Sequence, residues 1–162
     1  MELTLNSIIL FIAILLTGLS AGLFYAWQVS VIPGTQLASD TTYLETMQHI
    51  NRAIINPFFM LIFLGSLVAQ VACVFVFREN PTVFWLLLTA TLFYGATVGI
   101  TGAGNVPLND ELDKVELSTL STEQEHSIRV DYEKPWNRLH LIRTIFSVLS
   151  FMLLLIAALT LG

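Results

Sequence analysis

The chain has 162 residues, of which 55% are hydrophobic and 12% charged, and a formal net charge of −5; its mean hydropathy is +0.74. A charged share about half the usual ~25% excludes an ordinary soluble domain, because a soluble helical core needs polar outer faces. The acidic balance offers no basic footprint for nucleic acid, and a single cysteine, Cys73, excludes an intrachain disulfide.

Asp, Glu, Lys and Arg are absent from residues 3–39, 53–77, 80–109 and 144–162. A membrane-crossing helix takes about 20 apolar residues, so spans are predicted at about 5–32, 54–77, 82–104 and 139–161. The expected fold is all-α: a four-span transmembrane bundle forming a single integral membrane domain over 1–162. The start Met1-Glu2-Leu3 has no basic stretch, and the first apolar run exceeds the ~7–15 residues of a signal-peptide core. It is therefore read as a span rather than a cleaved leader.

Span one carries Gly18-x-x-x-Gly22, a small-residue surface suited to close helix approach. Tyr25, Trp27 and Gln28 follow, before Pro33-Gly34 is expected to stop the helix. Residues 40–55 read as a short amphipathic helix opened by the capping-box pattern Thr42-x-x-Glu45. Tyr43, Met47, Ile50 and Ile54 form its apolar stripe, with Gln48, Asn51 and Arg52 opposite. It lies near the interface or over the bundle mouth. Asn56-Pro57 then suits a helix cap and first turn. Gln70 is the strongly polar residue inside span two.

Arg78-Glu79-Asn80-Pro81 is a tight turn, which makes spans two and three antiparallel neighbours. Gly95, Gly99, Gly102 and Gly104 match no nucleotide-binding spacing and are read as helix packing. Asn105-Val106-Pro107-Leu108-Asn109 ends span three. The partly helical charged loop 110–138 holds most of the charge. Ser121-x-x-Gln124 is a second capping box, so a helix is expected over about 122–134 before Pro135 resets the chain. Beyond it, Trp136, His140, Arg143, Ser147 and Ser150 step by four, three, four and three residues, which places them on one helical face.

Four spans bring the polar residues to one rim. Gln28, Asn51, Arg52, Asn56, Asn105, Asn109, Trp136, Asn137, His140 and Arg143 all fall there. The other rim has only Asn6, Ser7, Arg78, Glu79 and Asn80. A charge inside a bilayer costs about 2.5–3.5 kcal/mol on insertion scales and usually faces a bundle interior or wet cavity. The stripe is therefore read as one wall of a pocket. Six of the seven Lys and Arg residues lie on the pocket side and Arg78 on the other. The positive-inside rule then places the termini outside the cell membrane.

Several segments together resemble the anthrone oxygenase-like membrane family. They are Gly22-Leu-Phe-Tyr-Ala-Trp27 with Val31-Ile-Pro-Gly34, Met47-Gln-His-Ile-Asn-Arg52 with Asn56-Pro57, Gly104-Asn-Val-Pro-Leu-Asn109, and Trp136-Asn-Arg-Leu-His140 with Arg143. The resemblance covers nearly the whole chain, and the Asn-x-Pro-x-Asn and Trp-x-x-x-His-x-x-Arg pieces are its specific parts. It implies a small four-helix membrane protein; some members oxidise an anthrone to an anthraquinone with molecular oxygen and no added cofactor.

On that expectation His140 is the base, since a free imidazole titrates near ~6.5, and Arg143 and Arg52 stabilise an enolate or peroxide anion. Asn51, Asn56, Asn105, Asn109, Asn137 and Gln28 orient the ligand, and Trp136 with Tyr25 or Trp27 stacks on its rings. No resident cofactor or metal is expected beyond oxygen as co-substrate. An iron or copper site at His140, with His49 and Glu133 or Asp110, is the metal alternative.

Two further readings stand beside the enzyme. One is a binder of a lipid, quinone or other hydrophobic small molecule; the other is a structural subunit, which predicts no sizeable cavity. The expected partners are the lipid bilayer and a hydrophobic small molecule, and the chain is compatible with a homo-oligomer.

Overall fold

The computed structural model describes residues 4–161, so the acidic start Met1-Glu2-Leu3 lies outside the described residues. The chain is helical, with no strand among the described residues. Four helices are long and apolar enough to cross a membrane: α1 (Leu5–Gln36), α3 (Pro57–Val76), α4 (Pro81–Asp113) and α5 (Thr122–Thr160). Between the first two lies α2 (Asp40–Ala53). The spans form a ring in which α1 packs on α3, α3 on α4, α4 on α5 and α5 on α1. The expected four-span all-α bundle is the observed fold.

The caps follow local chemistry. Asn56 accepts the Phe59 N–H at 3.0 Å, with Pro57 in the first turn. Ser121 and Gln124 form the expected capping box. The cap of α2 lies upstream of the expected one, at Ser39, whose hydroxyl accepts from the Thr42 N–H at 3.4 Å. Ser39 supplies the same oxygen acceptor one turn earlier, so Thr42 and Glu45 fall inside the helix.

None of the three interior prolines ends its helix. Pro33 was expected to stop span one, Pro107 to follow the end of span three, and Pro135 to reset the chain. Instead α1 runs on to Gln36, α4 to Asp113, and α5 continues unbroken from Thr122 to Thr160. Proline removes one intrahelical N–H and crowds the carbonyl four residues back. In α1 and α4 a π-turn opens the backbone just before the ring, at Trp27–Val31 and Thr101–Asn105. There Ile32 N–H reaches Trp27 O, and Val106 N–H reaches Thr101 O. Such turns mark functional sites in many helices. At Pro135 the carbonyl left without its donor belongs to Asp131, an exposed residue, where solvent can take the bond. The 39 residues of α5 reach about 58 Å at ~1.5 Å per residue, so its first turns project beyond a ~30 Å hydrocarbon core.

The bundle is layered. At the end bearing the termini and the 77–80 turn, Leu10, Ala13, Cys73, Val83, Leu87, Ala90, Leu154 and Ala157 form a buried apolar core. A polar layer follows. Gln70 donates to the Thr17 hydroxyl at 2.9 Å and accepts from Ser150 at 3.2 Å. Tyr94 lies 2.8 Å from the Ser20 hydroxyl and 3.0 Å from the Phe63 carbonyl, and Ser66 donates to the Ile62 carbonyl. These bonds tie all four spans together where water cannot compete; measured interhelical bonds of this kind contribute about 0.6 kcal/mol each. The third layer, at the opposite rim, holds the cavity described below.

Small residues pack more selectively than their spacing suggests. A Cβ on Gly18 would sit 2.9 Å from Phe151, and one on Gly104 2.8 Å from Leu139. Gly22, Gly95, Gly99 and Gly102 have nothing within 4 Å, so the expected close approach through them is corrected: among the described residues no neighbouring helix packs against them. We expect Gly18→Ala to destabilise the bundle by about 1–3 kcal/mol through overpacking, and Gly22→Ala to be neutral or slightly stabilising. Unfolding by SDS titration in mixed micelles, followed by circular dichroism, measures both.

α2 covers the bundle mouth. Its polar side points inward in part: Gln48 donates to the carbonyls of Leu112 and Val115 at 2.8 and 3.0 Å, and Asn51 is buried. The reason is that the continuation of α4 past Pro107 and the upstream extension of α5 give α2 a protein surface on that side, with Asn51 donating to Tyr132 of α5 at 3.1 Å. Arg129 of α5 reaches across to Asp40 at 2.9 Å, to the carbonyls of Ala38 and Gln36, and over the Tyr43 ring at 4.5 Å. His126 adds a contact to Asp40 at 2.9 Å. His126 first, then Arg129, hold the Asp40 carboxyl below its ordinary range.

Candidate functional site

A cavity of about 330 Å³ opens at this rim, within the ~300–1,000 Å³ typical of small-molecule pockets. Four walls line it. α1 contributes Leu23, Phe24 and Trp27; α2 and the link after it contribute Ile50, Asn51, Arg52, Ile54 and Ile55. α3 contributes Phe59 and Met60; α4 contributes Thr101, Val106, Asn109, Asp110 and Asp113; α5 contributes Trp136, His140 and Arg143. The structural-subunit reading, which predicted no cavity, does not fit this arrangement.

The α5 wall is a stacked ladder. Trp136 and His140, four residues apart, lie with ring centroids 5.1 Å apart and planes 5° from parallel. Trp27 leans on both, at 6.2 and 6.4 Å. A polar relay fixes the indole from behind. Asn109 Oδ1 accepts from Trp136 Nε1 and from the Tyr132 hydroxyl, both at 2.9 Å, and Asn51 Nδ2 donates to Tyr132 Oη at 3.1 Å.

His140 is 1% exposed and Arg143 8%. Arg143 donates to His140 Nδ1 from Nε at 3.2 Å and from Nη2 at 2.9 Å, and to Thr101 Oγ1 from Nη1 at 3.2 Å. An arginine only donates, so Nδ1 must carry the lone pair and the proton must sit on Nε2. That Nε2–H donates to the Phe24 carbonyl at 3.1 Å. The imidazole is thus held neutral in a single tautomer, with both nitrogens engaged.

No carboxylate pairs with Arg143 among the described residues. Its guanidinium instead lies over the Phe24 ring at 4.6 Å and the Trp136 ring at 5.4 Å. Such cation–π contacts contribute about 2 kcal/mol when desolvated. Among the described residues, each terminal nitrogen keeps one N–H without a protein partner. This end of the cavity is a buried positive centre with donors to spare.

Arg52 lines the same cavity, but its Nε sits 2.5 Å from Asp113 Oδ1, and both side chains are about half exposed. It is a neutralised rim residue, less available to an anion than Arg143. Asp110, also at the rim, makes no hydrogen bond or ion pair among the described residues.

The structure brings Asn51, Arg52, Asn109, Trp136, His140, Arg143 and Trp27 to the cavity. Five other expected contacts lie elsewhere. Asn56 caps α3. Asn105 is buried with Nδ2 on the Trp136 carbonyl at 3.2 Å, which makes it a support behind the wall. Asn137 and Tyr25 each follow a lining residue by one position, about 100° around a helix, and so point elsewhere; Tyr25 is 57% exposed. Gln28 follows Trp27 and likewise stands off the cavity. The Gln28 Oε1 and Asn105 Oδ1 atoms are buried without a partner among the described residues. Each belongs to a π-turn.

Phe24, Thr101, Tyr132 and Asp113 were missed, and Asp110 was expected only as a carboxylate of the metal alternative. Tyr132 had a signal, since it extends the Trp136–His140–Arg143 stripe by one turn once Pro135 is allowed inside the helix. Asp110 and Asp113 share a face with Val106 and Asn109 once α4 continues through Pro107. Of the other histidines, His49 is exposed and His126 sits on Asp40. Among the described residues no three His, Cys, Asp or Glu side chains gather as a metal-binding group.

Fold and site define a multi-pass integral membrane protein, a four-span bundle with an aromatic and cationic cavity at one rim. Residues 48–153 match the anthrone oxygenase family. The chain belongs to that family, which points to an oxygenase-like role. The matched stretch holds the α2, α3, α4 and α5 walls and leaves out Phe24 and Trp27 of α1. No curated protein and no solved structure matches the chain.

Proposed function

We propose that this protein oxidises a planar, lipophilic, anthrone- or polyketide-like substrate with molecular oxygen inside the rim cavity. The observation that carries this reading is the Arg143 guanidinium, buried without a carboxylate at the end of an aromatic-walled cavity. An enolate oxygen completes such a site, because donors fixed in a dry environment stabilise charge that develops there. Trp136 and Trp27 supply flat faces for the rings.

In this reading the substrate's carbonyl oxygen takes the free N–H groups of Arg143 and draws the guanidinium off His140 Nδ1. The uncovered lone pair removes a proton from the activated ring CH2, leaving the enolate. One electron passes from the enolate to oxygen, and the resulting carbon radical and superoxide combine to a peroxide anion. The imidazolium returns its proton to that anion. Loss of the second C–H proton with O–O cleavage then leaves the ketone and one water. The sum is CH2 + O2 → C=O + H2O, with no resident cofactor required. An iron or copper ion at His140 would have to displace the Arg143 or Phe24 contact.

A second reading, a binder without chemistry, is favoured by one observation: both His140 nitrogens are already hydrogen-bonded. An oxygen electrode separates the two with purified protein in nanodiscs and an anthrone substrate. Oxygen uptake above the spontaneous rate, with anthraquinone appearing, supports the oxygenase. Tryptophan quenching by anthraquinone without uptake supports the binder. We also propose residence in the cell membrane with the termini outside; leaving out the buried Arg143, five Lys and Arg side chains lie on the cavity side against Arg78 on the other.

A further inference from the structure

We infer that the cavity is loaded sideways from the bilayer, through an opening between α3 and α4 whose jambs are Met60 and Val106. This rests on the reading of the cavity as a small-molecule site and adds the route and the class of molecule that can use it.

Three observations converge. Met60, Val106 and Ile55 line the cavity, and they are 42%, 41% and 72% exposed. Among the described residues, no further layer of side chains covers them at this level. Next, α3 packs against the part of α4 before its π-turn, whereas the continuation Val106–Asp113 packs on α2 and α5. The π-turn thus parts the two helices on the cavity side, while the short 77–80 link keeps them together at the far end.

The third observation is chemical asymmetry. The side toward α2 carries the Arg52–Asp113 pair and Asp110, an unfavourable path for an apolar ring system. At the level of the opening the lining of α3 and α4 is apolar: Phe59, Met60 and Val106. Met60 lies in the first turn of α3, about 5 Å from its start at ~1.5 Å per residue, near the headgroup boundary where amphipathic rings collect. The class admitted is a flat lipophilic molecule with an oxygen on one edge, which enters and meets Arg143.

Access can be tested without turnover. With Cys73 replaced by serine, Thr101→Cys places a thiol on the cavity wall, with Phe59→Cys as a second position should the first not fold. In proteoliposomes, N-pyrenylmaleimide, flat and bilayer-soluble, competes with a charged, membrane-impermeant methanethiosulfonate. Each rate is taken relative to free cysteine in the same vesicles. We expect pyrenylmaleimide to react at least tenfold faster, and Val106→Phe to slow it at least fivefold. Val68→Phe, on the lipid face of α3 away from the cavity (Val68 is 69% exposed), should leave it unchanged. Faster reaction with the charged reagent, indifference to Val106→Phe, or no reaction with either reagent overturns the inference; the last is the result if a second copy of the chain covers this face. Failure of the oxygenase reading shows separately, as absent oxygen uptake in protein that still labels.

Discussion

Replacing Arg143 with methionine is expected to lower anthrone-dependent oxygen uptake by about 10²–10³-fold, the usual loss when a fixed donor to a developing oxyanion is removed. Methionine keeps much of the side-chain volume beside Phe24 and Trp136 and removes the charge and every N–H. Removing a buried charge that has no carboxylate partner leaves no anion unpaired, so the bundle should stay folded. Thr101 loses a donor, and His140 Nδ1 is freed. Arg143→Lys is expected to recover only part of the rate, because an ammonium cannot reach His140, Thr101 and a ligand oxygen with the same fork. Initial rates in nanodiscs, with circular dichroism as a folding control, measure this; a methionine variant within threefold of the parent rate would remove Arg143 from the chemistry.

The second large effect concerns His140 and separates a base from a structural tie. Glutamine can donate to the Phe24 carbonyl and accept from Arg143, so His140→Gln preserves both neighbours while deleting a basic nitrogen. If His140 takes the substrate proton, uptake falls by about 10²–10⁴-fold, while anthraquinone still quenches tryptophan fluorescence with a Kd within about threefold of the parent. If His140 only holds Arg143 in place, glutamine restores most of the rate that alanine loses. His140→Ala alone cannot distinguish the two, because it also releases the Phe24 carbonyl and the guanidinium.

Much of the architecture was legible because the bilayer imposes it. Four charge-free runs, each long enough to cross, leave few folds available to the chain. The antiparallel order then puts Asn51, Asn109, Trp136, His140 and Arg143 at one end whatever the detailed packing. The Ser121–Gln124 capping box and the Asn56-Pro57 start were equally local, a matter of a side-chain oxygen meeting an amide three residues on. The prolines misled because their effect depends on the neighbourhood. A proline weakens a helix by a bounded amount, and tertiary packing outweighed it three times, twice through a π-turn and once at an exposed face.

The order of residues along the chain thus settles the membrane setting, the number of spans and the polar stripe, since hydrophobic length and helical period are local properties. Which rim residues touch the cavity is not local. Asn105 and Asn109 are four positions apart on one helix, yet Asn105 supports the wall from behind while Asn109 lines it and holds the Trp136 indole. Tyr132 and Phe24 are unremarkable aromatics until the ring of helices places one against Asn51 and the other under Arg143. The neutral state of His140 is the clearest case. No spacing rule gives it; it follows from a guanidinium on one ring nitrogen and a carbonyl, 116 residues away in sequence, on the other.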